Sequence, residues 1–376
     1  MARSSLEWAL REGSRGGSAV GSTSMGSEAQ IRGSAAPPRE TWVDAAKGVA
    51  IILVVLFHAV IFLEDIGLAG AWSKISGPLD TFRMPLFFFT AGLFAQRALS
   101  LSFSELFRRR IKRLVWLYSV WTLLWYLVFQ ILPVYRDTDD AAGQPLLSWV
   151  RAFIWPNEST WFIYALAWYF TLAWLARRLP VWLQLGAAGI LSAIVGSSLV
   201  DWPNAALEKS ATYFVFFLAA VHFGRGVRAA VAGASSRAVS AGLVIGGLVY
   251  VAATAVILIL GIFGVPGVRL VMGALGVFVG VVLAKVLTRA RWLGWLVVLG
   301  GQTLPIYLLH FYVVLGAVAL LAPVRSDLAG WAGLLVPLVT VLAIAASLLA
   351  HRLTRKIPGL WSPPWTARVG AERTRV

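Results

Sequence analysis

Residues 42–62 read WVDAAKGVAIILVVLFHAVIF, and from Gly48 to Phe62 the stretch is apolar but for His58. No proline and no charge interrupts it after Lys47 until Glu64. A helical crossing of a bilayer core needs about 20 mostly apolar residues, and this pattern recurs along the chain. Comparable stretches fall at residues 48–64, 79–98, 114–133, 160–178, 181–199, 211–225, 238–263, 268–287, 303–322 and 333–353, which makes ten. The 376 residues are 59% hydrophobic and only 13% charged, with a mean hydropathy of +0.77. A soluble chain carries roughly twice that share of charge, so a soluble multidomain protein is excluded. The expected fold is all-α: a polytopic integral membrane helical bundle of about ten transmembrane helices. The segment from Trp292 to Gly300 reads as a partial or tilted helix feeding the ninth span.

The net charge of +16 would suggest nucleic acid in a soluble protein. In a membrane protein it reflects Lys and Arg gathered on the cytoplasmic side, so no nucleic acid partner is expected and the partner is the lipid bilayer. With the N-terminus inside, alternate connections hold six, six, two, three, three and six basic residues, 26 in all, against seven on the other face. That asymmetry predicts both termini cytoplasmic in a multi-pass protein of the cell inner (plasma) membrane. Residues 1–40, rich in Ser, Gly, Arg and Ala, read as a disordered cytoplasmic tail without the apolar core of a signal peptide. Residues 41–356 form the transmembrane domain and 357–376 a short basic cytoplasmic tail. Eighteen Trp suit headgroup-level anchoring, and zero Cys excludes disulfides, thiol catalysis and thiolate metal sites. No metal is expected.

An ionisable side chain inside a span is costly to bury and is a functional candidate for that reason. His58 lies ten residues into the first span and His310 seven into the ninth. Both spans run in the same direction, which puts the two imidazoles at roughly 10 to 16 Å depth, able to share one cavity. Lys47 precedes His58 by eleven positions, three helical turns plus about 20°, so the two share a face. Asp44 sits on nearly the same stripe and can pair with the ammonium. Further along, RRRIKR at 108–113 leads into an apolar run, and Arg110 and Arg113 are i, i+3 neighbours. Their guanidinium forks suit phosphate oxygens, and a positive-inside anchor is the plainer reading. Asp80 and Arg83 are spaced for a local ion pair at the outer mouth of the second span. Phe87, Phe88 and Phe89 read as lipid-facing and packing bulk. His222 and His351 fall near span ends and read as interfacial.

Five stretches together, WVDAAKGVAIILVVLFH, FRMPLFFFTAG, the Arg-x-x-Arg of Arg110 and Arg113, WFIYALAWY and TLPIYLLH, resemble the acyltransferase family 3 membrane proteins. Within them the likeness is to the fucose 4-O-acetylase-like or polysaccharide O-acetyltransferase group. The resemblance implies an acyltransferase moving an acyl group, usually acetyl, from cytoplasmic acyl-CoA to a hydroxyl of an envelope carbohydrate or glycolipid. By matching motifs, Lys47 and His58 take the basic-x10-His positions, and Arg110 with Arg113 the donor-binding pair. Two positions depart from the pattern: Arg83 stands where His is common, and Thr90 where Ser is.

The expected catalytic residues are therefore His58 and His310, and the expected donor-binding residues are Lys47, Arg110 and Arg113. A neutral imidazole at His58 accepts the acceptor hydroxyl's proton before attack on the thioester, or carries the acyl group itself. The rival is a non-enzymatic carrier or flippase for a lipid-linked sugar. Neither an internal repeat nor a matched pair of broken helices points to transport.

Overall fold

The computed structural model of the protein describes residues 40–131, 144–157 and 159–365. The expected N-terminal tail, apart from Glu40, and residues 366–376 of the expected C-terminal tail lie outside them. Ten long helices follow one another: α1 Thr41–Glu64, α2 Asp80–Gly92, α3 Lys112–Ile131, α4 Trp161–Ala176, α5 Val181–Val195, α6 Ala205–Gly233, α7 Ser236–Leu260, α8 Val268–Leu287, α9 Thr303–Leu321 and α10 Ala332–Thr354. Each overlaps one expected stretch, and among the described residues there is no strand. The chain is a helical membrane bundle. By length and apolarity α1, α6, α7, α8 and the run Thr303–Thr354, which holds α9 and α10, suffice to cross a membrane.

Several helices differ in length from their apolar stretches, α1, α2 and α6 the most. Helix α2 stops after 13 residues, at Gly92, whose backbone lies against the Phe217 carbonyl of α6; residues 96–99 form a separate turn. Helix α6 runs for 29 residues, its start fixed by the Asn204 side chain, which accepts from the Leu207 amide at 2.9 Å. Its charged ends hid that length from an apolar window. Phe87, Phe88 and Phe89 are buried in the core, so they are packing bulk and not lipid-facing. Phe88 meets Trp161, Phe162, Tyr169 and Tyr213 of α4 and α6.

Helix α1 is central, packed on α2, α8, α9, α10 and the short helix Gly294–Gly300. That short helix follows a 3-10 turn at Arg291–Leu293 and feeds α9, as the sequence predicts. Between helices in a membrane, small residues let backbones approach closely. Gly48 meets the Leu296 carbonyl, Gly300 the Asp44 carbonyl, and Gly276 of α8 the backbone of Thr81 and Phe82. The start of α1 therefore lies beside the start of α9. Trp116 and Trp121 of α3 donate to the carbonyls of Gly359 and Leu360, just past α10. At the far end of α1, Trp72 donates to Gly333 at the start of α10.

Candidate active site

Helices α1 and α9 each lift one histidine into the same space. The His58 and His310 rings lie 4.9 Å apart, and His310 Nε2 is 3.2 Å from His58 Nδ1. His310 is fully buried, at 0% exposure, and His58 half-buried. Phe62 and Phe311 close over the pair, with Phe311 4.8 Å from the His58 ring. The helical backbone decides the tautomers. His58 Nδ1 is 2.8 Å from the Val54 carbonyl and His310 Nδ1 is 2.9 Å from that of Ile306, each four residues upstream. A carbonyl oxygen only accepts, so each Nδ1 carries the hydrogen. His310 Nε2 then accepts from the His58 Nδ1–H, which it shares with Val54. Among the described residues no hydrogen bond reaches His58 Nε2, so its lone pair is unshared there.

Among the described residues no hydrogen bond or ion pair joins the other expected residues to this pair. Lys47 pairs with Asp44 at 3.7 Å, and its side chain is 26% exposed. It stands on the His58 stripe about 16 Å away along α1, by the helical rise. Arg110 and Arg113 are exposed. Arg110 belongs to a single π-helical turn, Phe107–Ile111, through which the basic run enters α3; such turns widen a helix and recur at functional sites. The turn before it, Phe103–Leu106, is fixed by a capping box of Ser102 and Glu105. Glu105 also takes Arg109, at 3.4 Å. These hydrogen bonds hold the exposed Glu105 carboxyl below its ordinary range, the contact with Ser102 foremost. Among the described residues no hydrogen bond or ion pair joins Arg110 or Arg113 to Lys47 or to either histidine.

Two further groups belong to the region. The Phe162 amide, an orphan donor at the start of α4, donates to the Tyr307 hydroxyl at 3.1 Å. Tyr307 stands three residues before His310 in TLPIYLLH, a spacing that puts both on one face of α9. Arg83, only 3% exposed, pairs with Asp80 at 2.8 Å, and the Tyr213 hydroxyl donates to the other Asp80 oxygen. The ion pair was legible; its burial was not, because Tyr213 and Phe57 come from other helices. His222 and His351 lie away from the pair, one against Gln184 at 3.0 Å and the other against the Trp361 ring.

The model of an acyltransferase domain, acyltransferase 3, matches residues 40–352. The chain belongs to the acyltransferase 3 family. The match takes in all ten helices of the acyltransferase 3 bundle but the last two residues of α10, and so includes both histidines, Lys47 and the Arg110–Arg113 turn. The inner membrane protein YcfT of Escherichia coli (strain K12) is 25% identical over 163 residues, which is 38% of this chain and 45% of that relative. The chain thus spans under half the length of that curated relative. No solved structure matches.

Proposed function

We propose that the protein is an O-acyltransferase of the inner membrane. It moves an acyl group, acetyl in the simplest case, from cytoplasmic acyl-CoA to a hydroxyl of an envelope carbohydrate or glycolipid. The observation that carries this reading is the unshared lone pair at His58 Nε2, held by a second histidine. A base needs one free nitrogen in a fixed direction, and fixing the other nitrogen supplies that direction. In the proposed step His58 Nε2 takes the acceptor's hydroxyl proton while the oxygen forms a bond to the thioester carbonyl carbon. The tetrahedral intermediate collapses by breaking the C–S bond. The CoA thiolate leaves with the proton from His58 Nε2. While His58 is protonated, its Nδ1–H keeps donating to His310 Nε2, which spreads the positive charge over two rings away from water.

Lys47, Arg110 and Arg113 take the donor's phosphates in this reading. Acyl-CoA is polyanionic, and guanidinium forks match phosphate oxygens. Family membership and the exposure of both arginines support it. The test is CoA release from acetyl-CoA by purified protein in lipid nanodiscs, with and without an envelope glycolipid extract. The reading expects release that depends on the extract and an added acetyl mass on one of its components. A protein that binds the extract yet releases no CoA contradicts it and favours the carrier reading.

A further inference from the structure

Residues 355–365 follow α10, past the point at residue 352 where the family match ends. They fold back across the start of α3. Trp116 Nε1 donates to the Gly359 carbonyl at 2.7 Å and Trp121 Nε1 to that of Leu360 at 3.0 Å. The Trp361 ring lies 5.0 Å from that of Trp121, and its Nε1 donates back to Thr354 Oγ1 at 3.2 Å. The Trp365 ring lies 5.0 Å from that of Trp116, with Lys112 Nζ 4.1 Å from its centroid. A tryptophan at a membrane boundary ordinarily turns its N–H toward lipid headgroups. Three indoles here direct theirs into the protein, so the segment is a strap rather than an anchor. Its bend is built for the contact: Gly359 has a φ of +81°, a backbone that favours glycine, and a Cβ there would touch the Trp116 ring at 3.5 Å.

Lys112 and Trp116 are four residues apart and share one stripe of α3. By gripping that stripe the strap fixes the rotation of the helix. Lys112 lies between Arg110 and Arg113, and Arg113, the next residue, points about 100° around the axis from it. Both arginines are exposed, and Arg110 stands in the π-helical turn Phe107–Ile111. The capping box of Ser102 and Glu105 holds the chain before that turn, and the strap holds it after. The basic turn is thus clamped at both ends.

We propose that the strap is a positioning element of the donor site, setting the Arg110–Arg113 turn in the arrangement that takes the nucleotide phosphates of acyl-CoA. Trp365 and Gly359 are its positioning residues. A turn already ordered binds more tightly than one that must be ordered by its ligand. The proposal rests on the reading that this turn takes the donor's phosphates.

The test compares two donors, acetyl-CoA and acetyl-pantetheine, which has the same thioester without the nucleotide and its phosphates. Transfer is measured with purified full-length protein in lipid nanodiscs and an envelope glycolipid extract. Trp365→Ala removes the ring beside Lys112; Trp365 is 38% exposed, so its loss leaves the core intact. Gly359→Ala strains the left-handed bend. Neither variant touches an arginine or a histidine. Each should raise the KM for acetyl-CoA about fivefold or more, with little change in kcat, and raise that for acetyl-pantetheine much less. A strap that only stabilised the bundle would slow both donors alike. An acetyl-CoA KM unchanged in either variant, or equal losses with the two donors, overturns the proposal. If the wild type transfers from neither donor, the acyl-transfer reading falls, and calorimetric titration with acetyl-CoA decides the strap separately. Affinity that drops in both variants then keeps the strap; unchanged affinity, or no binding by the wild type, removes it.

Discussion

At His58 the chemistry turns on which ring nitrogen is free. The Val54 carbonyl fixes the hydrogen on Nδ1, and every later step follows from the lone pair this leaves on Nε2. The phase of Lys47 with His58 was legible because a helix repeats every 3.6 residues. Depth counting placed His310 at a similar level, but the 3.2 Å contact depends on how α1 and α9 are rotated toward each other, which no single helix encodes. Arg110 and Arg113 are a different case, legible as a pair and tied by no described contact to the histidines. Charge-assisted contacts to phosphate are worth roughly 1.5 to 3 kcal/mol each. Arg110→Gln or Arg113→Gln should therefore weaken acyl-CoA binding about tenfold or more while leaving the melting temperature unchanged, as calorimetric titration and a thermal melt would check. Unchanged affinity in both variants returns the run to a membrane anchor.

Among the elements, the crossing of α1 with the short helix Gly294–Gly300 sets the reference for the site, since that helix leads into α9. A Cβ at Gly300 would overlap the Asp44 carbonyl, and one at Gly48 would overlap that of Leu296. Both obstacles are backbone, so neither can turn aside. Gly300→Ala should cost about 1 to 3 kcal/mol, the usual penalty of overpacking, seen as a lower melting temperature. It should also weaken donor binding, because the displaced backbone carries Asp44 and with it Lys47. A variant as stable as the wild type would show that the two helices are not held this closely. The apolar pattern located each helix but misjudged several lengths, those of α1, α2 and α6 the most. Gly92, where α2 ends, lies against another helix, and the charged start of α6 is capped by Asn204, neither of which an apolar window records.

For the whole molecule, the end of the bundle that gathers the starts of α1, α3 and α9 and the end of α10 is the one the charge count assigns to the cytoplasm. Reporter fusions after residues 104, 178, 232 and 376 should read cytoplasmic, and fusions near 70, 138 and 204 external; an external C-terminus contradicts the alternation. Composition made the membrane bundle legible because the bilayer admits few other solutions for such a chain. The buried Asp80–Arg83–Tyr213 network was not legible, since it joins α2 to α6, 133 residues apart. The central claim, that His58 Nε2 is the base of an acyl transfer, is tested most directly by single-turnover transfer from acetyl-CoA by purified variants of matched thermal stability. Loss of a positioned base typically costs 10²- to 10⁴-fold in rate. His58→Ala should bind acetyl-CoA normally and transfer at least about a hundredfold more slowly, and His310→Ala, which removes only the partner of Nδ1, should lose less. Near-normal transfer by His58→Ala would contradict the account.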